Sequence, residues 1–269
     1  MNLSEATWTE FEAAAPDVAL VPVGSTEQHG PHAPLGTDTL NAVAVAEAAD
    51  ERLGGEVDDD VPEGTAVDGR PDENAADDSS DEPPSVVVAP PIHVGVSEEH
   101  RAFPGTLWVS PDTFRSYVRE TAESLATHGV DRVVFVNGHG GNVEALAEVA
   151  RELSRSETGP YAVAFTWFEA VGDHGSDMGH AGPLETALLR HTTPESIRED
   201  RVAAAAADAA DRWGEWVRGV NLTHDSDAFT ENGVVGDPTA GDAERGAELL
   251  DLAAASLCEV VRAVAEREP

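Results

Sequence analysis

Four short apolar runs, each followed by a stretch with helical spacing, constrain this 269-residue chain more than any other feature. Val18 to Val23 reads Val-Ala-Leu-Val-Pro-Val and stops at Gly24. Val86 to Ala89 is closed by Pro90-Pro91, Val133 to Val136 runs straight into Asn137-Gly138, and Tyr161 to Trp167 forms the fourth run. Runs this short, apolar at successive positions, suit strands buried on both faces. Helical spacing is predicted from Asp38 to Leu53 and from Asn142 to about Leu153. A helix to about His128 is predicted to start with Ser110 as N-cap and Pro111 at its first position. Further helices are predicted over Pro183–His191, Pro194–Arg218 and Gly241–Glu266. The alternation predicts a single α/β domain over residues 1–269: a three-layer α/β/α sandwich with a mainly parallel central sheet. Ligands of such sheets sit beyond the carboxyl ends of the strands.

One segment breaks the pattern. Residues 54–85 hold twelve Asp or Glu and one Arg, with no apolar period. They read as an acidic, disordered surface insertion. The whole chain carries a formal charge of −36, and all 16 of its basic residues are arginine. Such a charge repels nucleic acid and anionic membrane, so neither is expected as a partner. Five Trp residues and abundant Val, Leu and Ala argue for a core rather than global disorder. The acidity then fits adaptation to high salt, where the Debye length falls to roughly 3 Å and self-repulsion is tolerable. No apolar run is long enough to span a membrane, and the N-terminus has no signal-peptide pattern. A cytoplasmic protein acting on a small molecule is expected. The single cysteine, Cys258, cannot form an intramolecular disulfide and reads as a buried, inert thiol.

Three polar clusters follow predicted strands or open a helix. In the first, Glu27 and His29 alternate with Gln28, so in an extended chain they point to one side, with Asp38 shortly after. Carboxylate plus imidazole is a ligand set for zinc or manganese, although a polar turn with a solvated histidine has the same composition. The second is Asn137-Gly138-His139-Gly140-Gly141-Asn142. Its glycines let the backbone approach a ligand or donate N–H groups to an oxyanion or phosphate, or they simply make a tight turn. The third runs from Asp177 through His180 to Glu185 and Thr186. His180 is a candidate proton donor, and Glu185 is either a metal ligand or a carboxylate favoured in the first turn of a helix. His100, in the loop Glu98 to Thr106, either lines a pocket or turns the chain. The loop Asn232 to Pro238 is a lid or a connector. His93, His128, His174, His191 and His224 read as structural or solvated.

Together, Glu27-Gln28-His29-Gly30-Pro31-His32, Asp38, Phe103-Pro104-Gly105-Thr106, Asn137 to Asn142, His180 to Thr186 and Gly233 to Pro238 resemble the creatininase (creatinine amidohydrolase) family. The resemblance covers about residues 20–246, and only the acidic insertion is foreign to it. It implies a hydrolase with two divalent metal ions per subunit, as zinc, iron(II) or manganese, assembled as a homo-oligomer, usually a hexamer. By motif position Glu27 and His139 bind one metal, His29 binds the other, and Asp38 bridges them. His180 matches the family's proton-handling histidine, and in the mechanism expected here Asp177, three residues before it, orients it.

The departures bear on the substrate. Members that open creatinine resemble His-Tyr-Glu where this chain has His139-Gly140-Gly141, and that Glu ligates the second metal. They also carry a Trp where this chain has Ser176. Glu185 becomes the replacement ligand. The Gly-Gly form looks more like the archaeal deformylases that release formate from a formylamino-pyrimidine ribosyl phosphate, and it also resembles peptide-trimming members associated with mycofactocin maturation. Gly140, Gly141 and His100 are then expected to contact substrate. The expected chemistry is metal-assisted hydrolysis of a non-peptide amide, with deformylation ranked first and creatinine hydrolysis or peptide trimming after it. The alternative from another class is a metal-binding protein that keeps the scaffold without catalysis.

Overall fold

A computed structural model of the chain describes residues 1–55 and 83–267. Most of the acidic insertion, residues 56–82, lies outside the described residues. In chain order the regular elements are α1 (Trp8–Ala14), β1 (Val18–Val23), α2 (Thr37–Gly54), β2 (Val86–Val88), α3 (Pro111–Ala126), β3 (Arg132–Asn137), α4 (Val143–Ser154), β4 (Tyr161–Thr166), α5 (Trp167–Ala170), α6 (Pro183–Thr192), α7 (Glu199–Ala207), β5 (Trp216–Val217), β6 (Val220–Asn221) and α8 (Ala243–Ala265).

The four predicted strands form one sheet in the order β2-β1-β3-β4, with every pair parallel. Alternate side chains enter two cores. Val18, Leu20, Val134 and Val136 pack with α2, α6 and α8 residues such as Val45, Leu188 and Leu257. Ala19, Val21, Val133 and Phe135 pack with Phe114 and Val118 of α3 and Leu146 and Val149 of α4. Helices on both faces leave the sheet buried, which is the expected three-layer α/β/α sandwich.

Pro22 lies in a central strand, where proline removes a ladder donor. Leu20 O and Pro22 O accept from Ala89 N (2.8 Å) and Ile92 N (2.9 Å), so even-numbered residues of β1 face the β2 side. There β2 has already given way to Pro90-Pro91, and the missing N–H falls where the regular ladder has ended.

The Ser110 cap of α3 is as predicted: its side chain accepts from Thr113 N. The predicted helix Pro194–Arg218 is not. A 3-10 turn (Pro194–Ser196) precedes α7, which ends at Ala207. Beyond it Ala210 N donates to Val234 O (2.9 Å), and Gly236 N donates to Ala210 O (2.9 Å). These tertiary hydrogen bonds outweigh the helix propensity of the alanine run. The chain then turns through Gly214 and Gly219, both at positive φ, into the hairpin β5–β6, which the sequence pattern did not predict. Helix α1 was also missed. It is closed by a Thr7/Glu10 capping box, and none of its residues is buried.

Gly138 sets how closely α2 approaches the sheet. A Cβ there would lie 2.1 Å from Asp38 O, so only glycine lets the first turn of α2 pack against the end of β3. A Gly138→Ala variant should lose about 1–3 kcal/mol of stability through this overlap. Denaturant unfolding checks it, and an unchanged midpoint would contradict the close approach.

Candidate functional site

The loops after β1 and β3 and the first turns of α2 and α6 converge beyond the carboxyl ends of the strands. Asn137 fixes His139 from both sides: its amide donates to His139 O (2.8 Å), and His139 N donates to its Oδ1 (3.1 Å). Asn142 ties the same turn to neighbouring loops, donating to Gly24 O (3.0 Å) and accepting from Val96 N (2.9 Å). The Gln28 amide lies beside His100 Nδ1 (2.9 Å) and donates to Gly233 O (2.9 Å).

Glu27, His29, Asp38, His139, His180 and Glu185 are all buried and meet in one place. Asp38 offers one oxygen to each of two rings: Oδ1 is 3.0 Å from His29 Nε2, and Oδ2 is 3.3 Å from His139 Nδ1. Glu27 Oε1 lies 3.2 Å from His139 Nδ1 and 3.6 Å from His180 Nδ1. Glu185 Oε1 lies 3.6 Å from His29 Nε2, while its Oε2 accepts from Ala181 N (2.6 Å). Three groups, Glu27–Asp38–His139, His29–Asp38–Glu185 and Glu27–His29–His180, each bring one ligand atom per residue within 4.8 Å of the others. Asp38 belongs to the first two.

Main-chain carbonyls set the histidine tautomers. His29 Nδ1 lies 3.1 Å from Glu27 O, His139 Nε2 lies 2.9 Å from Val96 O, and His180 Nε2 lies 2.6 Å from Gln28 O. A carbonyl only accepts, so in each ring that nitrogen carries a proton, and the other nitrogen is the one turned to the carboxylates. This is how metal-binding imidazoles are held from behind. His100 is the reverse. Its Nδ1 lies beside the Gln28 amide and Ser226 Oγ (3.0 Å), which directs Nε2 toward Glu27 Oε1 (3.4 Å). His100 stacks on His180 with ring centroids 4.2 Å apart.

The charges respond strongly. Burial opposes a charged His29, yet Asp38 and Glu185 outweigh it and hold its pKa well above the usual value. The same holds for His139 beside Glu27 and Asp38. Burial acts to raise Asp38, but His29 and His139 hold it below the carboxylate range. Burial and the neighbouring His29 charge push His180 down to about 4, so it is neutral at pH 7. Burial and the nearby His180 push His100 down also.

Asp177 departs from expectation. It is half exposed and pairs with Arg245 through two contacts of 2.6 and 3.0 Å, which hold its carboxyl low. It makes no hydrogen bond to His180, so it does not orient that ring. Backbone pairing positions His180 instead: His180 N donates to Val235 O (3.0 Å), and Val235 N donates to His180 O (2.8 Å). The late glycine-rich loop is therefore a support for His180. Gly140 is open, with nothing within 4 Å of a Cβ built on it. Gly141 has no such room. His93, His128, His174, His191 and His224 are exposed, and Cys258 is buried with its thiol donating to Ala49 O. Sequence reasoning missed Trp213, whose ring stands edge-on to His100 (5.4 Å) and His180 (6.0 Å). It also missed Glu99, 3.7 Å from His139 Nε2. Neither carries a local signal, because each reaches the site through the tertiary course of its loop.

Buried carboxylates and imidazoles sharing one aspartate are the ligand chemistry of divalent-cation enzymes. The family model for creatininase, described as creatinine amidohydrolase, matches residues 4–261. The mycofactocin precursor peptide peptidase of Mycobacterium ulcerans (strain Agy99) is 37% identical over 255 residues, covering 93% of this chain and 88% of that protein. Creatinine amidohydrolase of Pseudomonas putida is 28% identical over 225 residues, covering 74% of this chain and 75% of that one. A solved manganese creatininase superposes with a TM-score of 0.73 at 22% identity, covering 99% of each chain. The chain belongs to the creatininase family of amidohydrolases, hydrolases of carbon–nitrogen bonds. No described helix is long and apolar enough to cross a membrane.

The raised pKa values of His29 and His139 fix a sign. Protons on these rings stabilise the metal-free fold fully below the unfolded value of about 6.5, and that contribution is lost as pH rises through the raised folded values. A bound cation replaces those protons, so the gain in unfolding midpoint on adding zinc or manganese should be larger at about pH 9 than at about pH 6. Thermal unfolding of chelator-treated protein checks this, and a gain that shrinks with pH would contradict it.

Proposed function

We propose that this chain is a two-metal amidohydrolase that hydrolyses a peptide-type amide. Glu27, Asp38 and His139 would hold one cation, and His29, Asp38 and Glu185 the other. The observation that carries this reading is a set of buried polar atoms without hydrogen-bond partners: both carboxylate oxygens of Glu27, Asp38 Oδ2 and His29 Nε2. Leaving a buried polar group unpaired costs about 1–3 kcal/mol, and more when it is charged. Glu27 Oε1, Asp38 Oδ2 and His29 Nε2 all face neighbouring members of the centre, so the donor set fits divalent cations, with zinc, manganese and iron(II) all suited to it.

When bound, such cations polarise an amide carbonyl and lower the pKa of water towards 7. The chain's own groups supply the rest. His180, neutral and held through Nε2 by Gln28 O, accepts a proton at Nδ1 from the attacking water and passes it to the departing nitrogen. His100 buttresses that ring by stacking. Asp177 takes no part.

A peptide-type amide is favoured because relatives named as mycofactocin precursor peptide peptidases match 33–37% of aligned positions over at least 93% of this chain. Deformylation of 2-amino-5-formylamino-6-ribosylaminopyrimidin-4(3H)-one 5'-phosphate is the second reading, supported by the open Gly140 beside the centre. Creatinine opening ranks third, on the 28% identical relative and the lack of a side chain at 141. We further propose a cytoplasmic homo-oligomer, with the hexamer of the family resemblance as the expected form. The non-catalytic alternative leaves the His180 arrangement without a purpose.

Asp38→Ala should abolish both bound metal and turnover. His180→Ala should keep the metal while kcat falls about 10²–10⁴-fold. Metal content by mass spectrometry, with a peptide, the formylamino-pyrimidine phosphate and creatinine assayed side by side, tests both. An Asp38→Ala enzyme with full activity would refute the two-metal scheme.

A further inference from the structure

We propose that Gln28 and His100 form a positioning pair for Glu27: the Gln28 amide commits the His100 ring to carrying its proton on Nε2, and that N–H steers the Glu27 carboxylate. Resting on the two-metal reading above, this role adds a donor behind a proposed metal ligand, where the family resemblance led us to expect His100 against the substrate.

Gln28 stands between Glu27 and His29 and is buried, with both polar atoms of its side chain engaged. Oε1 accepts from Gly30 N (3.0 Å), and Nε2 donates to Gly233 O (2.9 Å). Turning the amide over would set an oxygen against Gly233 O and an NH2 group against the Gly30 N–H, so its orientation is fixed. Gly233, at a φ of 83°, makes room for the amide, since a Cβ there would overlap Gln28 Oε1. The second proton on Nε2 then faces His100 Nδ1, 2.9 Å away. An NH2 group only donates, so Nδ1 accepts and carries no proton. Ser226 Oγ, 3.0 Å from the same nitrogen, adds a hydroxyl that can donate to it as well. The single proton of the His100 ring therefore sits on Nε2.

His100 Nε2 faces Glu27 Oε1 at 3.4 Å. That oxygen lies among three imidazoles, with His139 Nδ1 at 3.2 Å and His180 Nδ1 at 3.6 Å. His180 spends its N–H on Gln28 O (2.6 Å), and ligation through Nδ1 would remove the proton that His139 offers. His100 is then the ring of the three that keeps an N–H toward Oε1. Its contact is longer than an ordinary hydrogen bond, so it acts as a dipole aimed at the carboxylate and leaves the oxygen open to a cation. Gln28, His100 and Glu27 are all buried, where such a dipole acts in a low local dielectric. Hydrogen-bonding partners behind ligating groups fix their orientation and raise metal affinity.

The test has two parts. Neutron diffraction from deuterium-exchanged crystals of the metal-free full chain locates the proton on His100. Deuterium on Nε2 with none on Nδ1 is expected, and deuterium on Nδ1 overturns the proposal. Zinc is then titrated, against a competing chelator, into the chelator-treated parent and its His100→Gln, His100→Phe and Gln28→Met variants. His100→Gln keeps an N–H at the reach of Nε2 and loses the ring, whereas His100→Phe keeps a ring to stack on His180 and loses the N–H. One zinc equivalent should bind about 10–100-fold more weakly in His100→Phe and in Gln28→Met, and close to the parent value in His100→Gln. Parent-like zinc binding by His100→Phe or by Gln28→Met overturns the proposal. Equal weakening in both His100 variants also overturns it, because loss of packing would explain that result. Should a His100 variant fail to fold, the neutron map and Gln28→Met decide. A parent chain that takes up no zinc defeats the two-metal reading and the steering of Glu27 with it. A parent that takes up two equivalents but carries deuterium on Nδ1 leaves that reading standing and defeats the positioning pair alone.

Discussion

Three carboxylates taken out of water at one point govern this structure. Glu27, Asp38 and Glu185 are nearly inaccessible and lie around shared imidazoles. Burying a charge costs several kcal/mol after relaxation unless an opposite charge and hydrogen bonds compensate. The surrounding chain is arranged to keep the carboxylates there. Gly138 admits the first turn of α2, Asn137 and Asn142 brace the β3 loop, and Ala181 N holds Glu185. Ala181 itself adopts a positive φ of 52° in the turn that carries His180. Strain of that kind persists where surrounding contacts over-determine it, and it clusters at functional sites.

Much of the frame was legible in the sequence because it is local. Valine-rich runs bounded by glycine or proline mark β1 to β3, and a Ser-Pro start marks α3. The site was legible in its first members too, since Glu27, His29 and Asp38 follow one strand closely, in the loop after β1 and the first turn of α2. His139 and Glu185 joined them through family resemblance, because no local pattern says that the loop after β3 and the start of α6 meet the loop after β1. Asp177 was misread for a related reason. Its sequence neighbour His180 suggested a partnership, but Arg245, 68 residues on, offers a bidentate ion pair that wins at the surface. The alanine-rich stretch after α7 failed differently. Its helix propensity is real, and pairing of Ala210 with the 234–236 segment overrides it.

Charge links the centre to the rest of the molecule. A chain with net charge −36 and no lysine surrounds a site whose innermost groups are also acidic. Such a field draws cations inward and holds anions off. The three main-chain carbonyls behind His29, His139 and His180 do the finer work, since each takes one N–H of its ring and leaves the other nitrogen facing the carboxylates. Trp213, edge-on to both His100 and His180, flanks that stack and is itself packed edge-on against Phe229 with centroids 5.1 Å apart. The result is a polar centre flanked by an aromatic pair.

Anomalous diffraction from crystals of the metal-loaded protein, recorded at the zinc or manganese edge, is the most direct measurement. The account predicts two peaks about 3.5–4 Å apart, the spacing of two-metal hydrolytic sites, with Asp38 between them, Glu27 and His139 on one and His29 and Glu185 on the other. A single peak, or peaks away from Asp38, would contradict it.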